Sequence, residues 1–268
     1  MFLSHFAMTD HPFSSHITPA AIFQDERMTQ GLARLNFFLK HSPIALMTGE
    51  EGVGKSTLIR LFLNQLDQNR FSHAYLHFTP LSSLSFLKLI AHSLGEIPKQ
   101  YKDQVILQIT SKIKTQDKTT LLLVDEAHLL LPQVLIDLRL LISSALDDSQ
   151  QLKILLSAHP SLKKELRRSI HSALLQRISL CYDIPPLSPQ QTPLYLDFHL
   201  RRVGASEKLF DQDVKHDIHE YSRGVPRLIN NIATACLIHA ACEKLNKINA
   251  TVLTNAFKET HCSASCPL

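Results

Sequence analysis

Eight consecutive residues, Gly49-Glu50-Glu51-Gly52-Val53-Gly54-Lys55-Ser56, set three glycines, an ammonium group and a hydroxyl in the spacing G-x-x-x-x-G-K-S. Glycines let a backbone turn its N–H groups inward around a polyphosphate. Lys55 adds a positive charge for the β- and γ-phosphates, and Ser56 offers an oxygen to Mg2+. The candidate nucleotide contacts are Gly49, Glu50, Glu51, Gly52, Val53, Gly54, Lys55, Ser56 and Thr57. A second stretch, Thr119-Thr120-Leu121-Leu122-Leu123-Val124, runs into Asp125-Glu126. Asp125 at a strand end can reach a metal ion beside Ser56, and Glu126, one residue on, can polarise an attacking water. Phosphoryl transfer also needs positive charge opposite the γ-phosphate, for which Arg177 and Arg227 are the candidates. By residue type alone, each reads more readily as a surface or salt-bridge arginine.

The elements that must hold these groups follow from hydrophobic pattern. Ile44-Ala45-Leu46-Met47 before the glycine loop and Thr57-Leu58-Ile59-Arg60-Leu61-Phe62-Leu63 after it give strand, loop, helix, with the helix dipole aimed at the same phosphates. Residues 27–40 read as a helix. His73-Ala74-Tyr75-Leu76-His77-Phe78 alternates as a strand, helical patterns follow at 82–94 and 102–116, and 119–124 is a strand of the kind buried on both faces. A helix at 132–145, a strand at 152–157, helical segments within 160–177 and a last strand at 178–184 complete an α/β alternation, which predicts a parallel sheet with helices on both faces. After Pro185-Pro186 no strand pattern returns. Ser188-Pro189-Gln190-Gln191 opens a helix with a capping box, helices at 211–222 and 226–244 surround Arg223-Gly224-Val225-Pro226-Arg227, and Asn249 caps a final one.

A chain of 268 residues, 44% hydrophobic, suits one α/β domain with a smaller companion. The expected division is 1–26 as an N-terminal arm packing on the core, 27–185 as the nucleotide-binding domain, 186–260 as a helical domain and 261–268 as a disordered tail. Phe2, Phe6, Phe13 and Phe23, set among His5, His11, His16, Pro12 and Pro19, are too aromatic for a free tail. The arm either walls an adenine ring or simply packs. The 28 basic and 24 acidic residues give a net charge of +4, compatible with nucleic acid without indicating it. Five unpaired-looking cysteines at 181, 236, 242, 262 and 266 indicate a reducing compartment, with Cys236 and Cys242 read as helix packing residues. A start without a basic leader, and no apolar run of about 18 residues, lead us to expect a soluble cytoplasmic protein without membrane insertion. The fifteen histidines are scattered, and the pair His216 and His219 is too sparse for a metal site.

Gly49–Ser56, Leu121-Leu122-Leu123-Val124-Asp125-Glu126-Ala127-His128, Asp137-Leu138-Arg139-Leu140-Leu141, Gln176-Arg177-Ile178 and Gly224-Val225-Pro226-Arg227-Leu228-Ile229-Asn230 occur in an order that resembles the AAA+ ATPases of the ExeA type. That family includes bacterial secretion and pilus-assembly ATPases and the ATPase helpers of some DNA transposons. The resemblance extends from His11-Pro12-Phe13 to about Phe257. It implies a P-loop αβα sandwich with a C-terminal helical lid, in an oligomer that binds ATP and Mg2+ between its two parts and between subunits. On that resemblance Lys55 and Ser56 contact nucleotide and Mg2+, Asp125 is the Walker B metal residue and Glu126 the catalytic glutamate. Arg177 resembles an arginine finger offered to a neighbouring subunit, and Arg227 a lid sensor arginine that also touches nucleotide. Ala158-His159-Pro160-Ser161-Leu162 departs from the family's Gly-Gln-Pro-Glu-Leu-like strand end. His159 therefore takes a sensor position that normally holds an amide, and slow hydrolysis is one expected outcome.

Lys163-Lys164-Glu165-Leu166-Arg167-Arg168 places four cations within six residues. Such a run reads as a solvated face, or as a stripe binding DNA phosphates at Lys163, Lys164, Arg167 and Arg168 in a salt-dependent way, with Arg201-Arg202 as a possible extension. The leading functional expectation is an oligomeric ATPase that grips duplex DNA and a transposase. The alternatives are a pilus or type II secretion assembly ATPase acting on protein partners, and a scaffold that binds ATP but scarcely hydrolyses it. The chain stops after the lid where secretion members continue, which favours the first.

Overall fold

Strands that are apolar without a break need cover on both faces, and here they take the middle of a parallel sheet. The computed structural model describes residues 2–14, 18, 21–77, 81–145 and 151–260. Helices α1 (Phe2–His5) and α2 (Glu26–His41) precede β1 (Ile44–Thr48), followed by α3 (Lys55–Asn64), β2 (Phe71–His77), α4 (Ser83–Ser93), α5 (Lys102–Thr115) and β3 (Thr119–Asp125). Next come α6 (Pro132–Ala145), β4 (Leu152–Ala158), α7 (Ser161–Leu166), α8 (Ser172–Leu175) and β5 (Ile178–Asp183). The rest is helical: α9 (Gln191–Arg202), α10 (Gln212–Ser222), α11 (Pro226–Cys242) and α12 (Ala250–Thr260). The expected Phe78 end of the second strand, His16 and Pro19 of the arm, and the tail at 261–268 lie outside the described residues.

The strands lie in the order β2-β3-β4-β1-β5, and every neighbouring pair is parallel, the α/β class expected from the alternation. Burial follows position in that order. Strands β1 and β4 are buried at every residue and β3 at all but its first, whereas the outer strand β2 alternates, with Ala74 and Leu76 inside and Tyr75 and His77 outside. The segment 160–177 is broken into α7, a 3-10 turn and α8, because Arg168 takes extended backbone angles.

By contacts the chain divides into two compact units. One comprises Arg27–Glu50 and Lys55–Ile184; the other comprises the described parts of 1–26 and 185–268, together with Glu51–Gly54. In the α/β unit a continuous core joins Leu122, Val124, Ile154 and Leu156 of the sheet to Phe86, Ile90, Ile109 and Leu138 of the helices. Complete burial of each such side chain contributes about 1.5–3 kcal/mol. A charged side chain lies within this packing. Asp137 of α6 is fully buried and accepts from Ser83 Oγ of α4 and from Lys102 Nζ of α5 at 2.7 Å, so one carboxylate ties three helices together.

The helical unit has its own interior, built from Leu196, Leu200, Ile218, Ile229, Leu237 and Leu253. Phe2, Phe6, Met8, Phe13 and Phe23 pack into this interior, which is the core the N-terminal segment joins. Ser188 N–H donates to Gln191 Oε1 at 2.9 Å and Gln191 N–H donates to Ser188 Oγ at 3.2 Å, the reciprocal pair of a capping box. Val252 N–H donates to Asn249 Oδ1 at 3.1 Å and so caps α12. Cys236 is buried as a packing residue, but Cys242, expected to pack beside it, is exposed at the last position of α11. His199 is 1% exposed and its ring meets Phe13, Tyr195 and Phe198. Burial pushes its imidazole down to about 4, with the Arg202 guanidinium adding to the shift and the Pro12 carbonyl opposing it.

Two stability measurements check this packing. Asp137→Ala removes the shared acceptor of Ser83 and Lys102, and a urea titration should show a loss of about 1–3 kcal/mol, limited because Lys102 is 38% exposed and can turn to water. For His199 the contribution is complete above an unfolded-state value of 6.5 and is lost as pH falls toward 4, because only the unfolded chain then takes up the proton. The loss is ~1.4 kcal/mol per pH unit, to a total of about 3 kcal/mol. His199→Leu should therefore lose less stability than the parent chain between neutral pH and about pH 4.

Candidate active site

The glycine loop leaves β1 at Thr48 and enters α3 at Lys55. Gly52 and Gly54 have φ of 79° and 110°, the left-handed region where a side chain would be strained. Gly52 also has a near neighbour within the helical unit, since a Cβ there would lie 2.5 Å from Arg227 Cβ. Gly49 N–H donates to Ala158 O at 3.2 Å, which ties the start of the loop to the end of β4. Val53 is buried and Thr57 half-buried. Lys55 is 6% exposed, and its ammonium turns back to donate to Gly49 O at 2.8 Å and Glu50 O at 3.0 Å.

Asp125, at the end of β3, is 2% exposed. Its Oδ2 accepts from Ser56 Oγ at 3.2 Å and from Tyr75 Oη at 2.6 Å, while its Oδ1 accepts from Glu126 N–H at 3.0 Å. Burial works against its ionisation, and the hydrogen bonds from Tyr75, the Glu126 amide and Ser56 outweigh it, holding the carboxyl below its usual range. For Tyr75, burial and the hydrogen bond to Asp125 push the phenol above its ordinary value, so it is a donor at neutral pH. His77 Nδ1 stands 3.9 Å from the same Oδ2. A hydroxyl and a carboxylate side by side form an all-oxygen set that suits a hard divalent cation such as Mg2+. Among the described residues no group of three or more His, Cys, Asp or Glu could hold a metal of another kind.

Glu126 has left-handed backbone angles, φ 51° and ψ 35°, an uncommon conformation for a residue with a side chain. Its Oε2 lies 3.5 Å from His128 Nδ1. His128 Nδ1 in turn accepts from His159 N–H at 3.3 Å, and His159 Nε2 meets Glu50 Oε2 at 3.2 Å. Ser161 N–H donates to His159 Nδ1 at 3.2 Å, which leaves the Nε2 proton for Glu50. The α/β unit thus brings together Lys55, Ser56, Asp125, Glu126, His159 and Glu50 from four separate stretches of chain.

Other candidates have different surroundings. Arg227 N–H donates to Gly52 O at 3.3 Å, and its guanidinium lies 3.9 Å from Glu51 Oε2 within the helical unit. Arg177 is half-buried and donates to Ser143 Oγ at 2.7 Å and Arg139 O at 3.4 Å, so it lies along α6. The basic run is not a uniform stripe. Lys163 donates to Asp183 Oδ1 at 2.6 Å and the exposed Arg168 to Glu165 Oε1 at 2.9 Å, while Lys164 and Arg167 are exposed as well. Arg201 pairs with Glu207, and Arg202 donates to the carbonyls of His11 and Pro12. His219 bonds Thr192 Oγ1 at 2.8 Å. The residues that the sequence reading missed are Tyr75 and His128. The alternation of β2 puts Tyr75 on one face with His77, but only strand pairing reveals that this face meets Asp125.

Comparison with known proteins agrees with this geometry. Residues 39–166 match the family model described as AAA domain. The chain is 33% identical over 257 residues to General secretion pathway protein A of Aeromonas hydrophila, an alignment that covers 92% of this chain and 46% of that protein. It therefore spans about half the length of this relative. Among solved structures, Cdc6p from Pyrobaculum aerophilum superposes with a TM-score of 0.73 at 18% identity, covering 96% of this chain and 73% of that one. The ADP form of the Aeropyrum pernix ORC2 protein gives 0.71 at 14% identity, covering 94% and 73%. Residues 39–166 thus carry an AAA domain.

Proposed function

We propose that this protein binds and hydrolyses ATP with Mg2+ as an oligomeric switch, and that it acts on protein partners in the assembly of a secretion or pilus system. The observation that carries the hydrolytic part is the meeting of Ser56 Oγ with Asp125 Oδ2, 3.2 Å apart, with Lys55 and Glu126 their neighbours in the chain. Lys55 exchanges the Gly49 and Glu50 carbonyls for the β- and γ-phosphate oxygens. The loop N–H groups after Gly49, whose own N–H is held by Ala158 O, would face the same phosphates. Ser56 and Asp125 are the residues that would hold Mg2+, which would supply charge neutralisation for the phosphates. Glu126 accepts a proton from the water that attacks the γ-phosphorus, yielding ADP and phosphate. Arg177 of a neighbouring copy, once it leaves Ser143, balances the charge that develops. His159, engaged with Glu50, is an imidazole where an amide would orient the water, which is consistent with slow turnover.

The protein-directed role rests on the similarity to General secretion pathway protein A. A second reading, a transposition helper that grips duplex DNA and a transposase, rests on the exposed Lys164 and Arg167 of the basic run. It is the weaker of the two, because Lys163 and Arg168 already have carboxylate partners. Among the described residues no helix is long and apolar enough to cross a membrane.

Two experiments test these roles. Lys55→Ala should abolish retention of a labelled ATP analogue in magnesium buffer, while Glu126→Gln should keep retention and cut phosphate release by about 10²-fold or more. Equal turnover in the parent and Glu126→Gln would replace the enzyme with a scaffold. On the secretion reading, the protein with ATP should not retain duplex DNA beyond weak attraction that disappears with added salt. ATP-dependent retention, lost when Lys164 and Arg167 are both changed to Ala, would establish the transposition reading instead.

A further inference from the structure

Asp125 has more donors than its partnership with Ser56 explains. Strand β2 runs parallel beside β3 with Tyr75 opposite Leu123 and His77 opposite Asp125, so the phenol must reach two residues forward to meet the carboxylate. It does so at 2.6 Å, the shortest of the three hydrogen bonds on Asp125 given above. Packing does not account for this, because Tyr75 is 43% exposed on the outward row of β2 while Ala74 and Leu76 fill the interior.

We propose that Tyr75 is a positioning residue for Mg2+ binding, acting through Asp125 on Ser56. The proposal rests on the nucleotidase reading above. With Oδ1 fixed by the Glu126 amide and Oδ2 fixed by Tyr75, the carboxylate cannot rotate about its last bond without breaking a hydrogen bond. Oδ2 is then a fixed acceptor for the Ser56 proton at 3.2 Å. A hydroxyl whose proton is committed to Asp125 has only lone pairs left for a cation, which is the state a metal ligand needs. Groups that orient a ligating carboxylate typically change metal affinity about 10–100-fold when removed.

Tyr75→Phe keeps the ring and deletes only the donor. Binding of a fluorescent ATP analogue to the full chain should be followed as Mg2+ is titrated, then repeated in EDTA, with thermal unfolding recorded for both proteins. The expected result is a Mg2+ midpoint raised about 10-fold or more in Tyr75→Phe, with EDTA binding unchanged. An unchanged or lowered midpoint overturns the proposal even if the variant melts earlier, because that pattern marks a structural hydrogen bond. A parent chain whose nucleotide binding ignores Mg2+ overturns the nucleotidase reading and this proposal together. A Mg2+-dependent parent with an unaltered variant overturns this one alone.

Discussion

A carboxylate withdrawn from water must be met by donors on both oxygens, and Asp125 is the place where that demand organises the α/β unit. Its donors come from the outer strand β2, the start of α3 and the chain just past β3. All three must be in register at once. A shift of one residue between β2 and β3 would turn Tyr75 to the opposite face of the sheet, and a different loop length after β1 would move Ser56 away. The unbroken apolar runs of β1, β3 and β4 hold that register, since helices covering both faces leave those strands no other packing.

The glycine loop, whose proposed ligand is a polyphosphate, carries two acidic residues. Glu50 and Glu51 are exposed, and each stands near a group able to bear positive charge, His159 in one case and Arg227 in the other. Pairs so open to solvent contribute little to stability, so their significance is geometric. They hold the imidazole and the guanidinium close to the loop. On the proposed function, phosphate attraction in this loop would come from backbone N–H groups and Lys55, with the two glutamates working against it.

What could be read from the sequence was whatever depends on neighbours along the chain. The spacing of the loop, the apolar strand before Asp125, the Ser188 and Gln191 capping box and the Asn249 cap are all short-range signals, and the parallel sheet follows from the alternation. What could not be read depends on partners distant in sequence. Asp137 was visible as part of a motif, but not its seat between α4 and α5. Arg177 was visible, but not its hold on Ser143, 34 residues away. Lys163 looked like a free cation until the end of β5 brought Asp183 beside it. Tyr75 gave no sign beyond alternation, because a phenol on a half-exposed strand is ordinary.

Among the described residues strand β2 pairs only with β3, which makes it one of the two outer members of the sheet. Strands in that position fray before those with two neighbours. The hydroxyl that pins the Asp125 carboxylate is thus borne by an edge of the sheet. Any transient peeling of this margin slackens Asp125 while leaving the buried strands intact, so breathing at the rim is transmitted to the centre through a single phenolic proton.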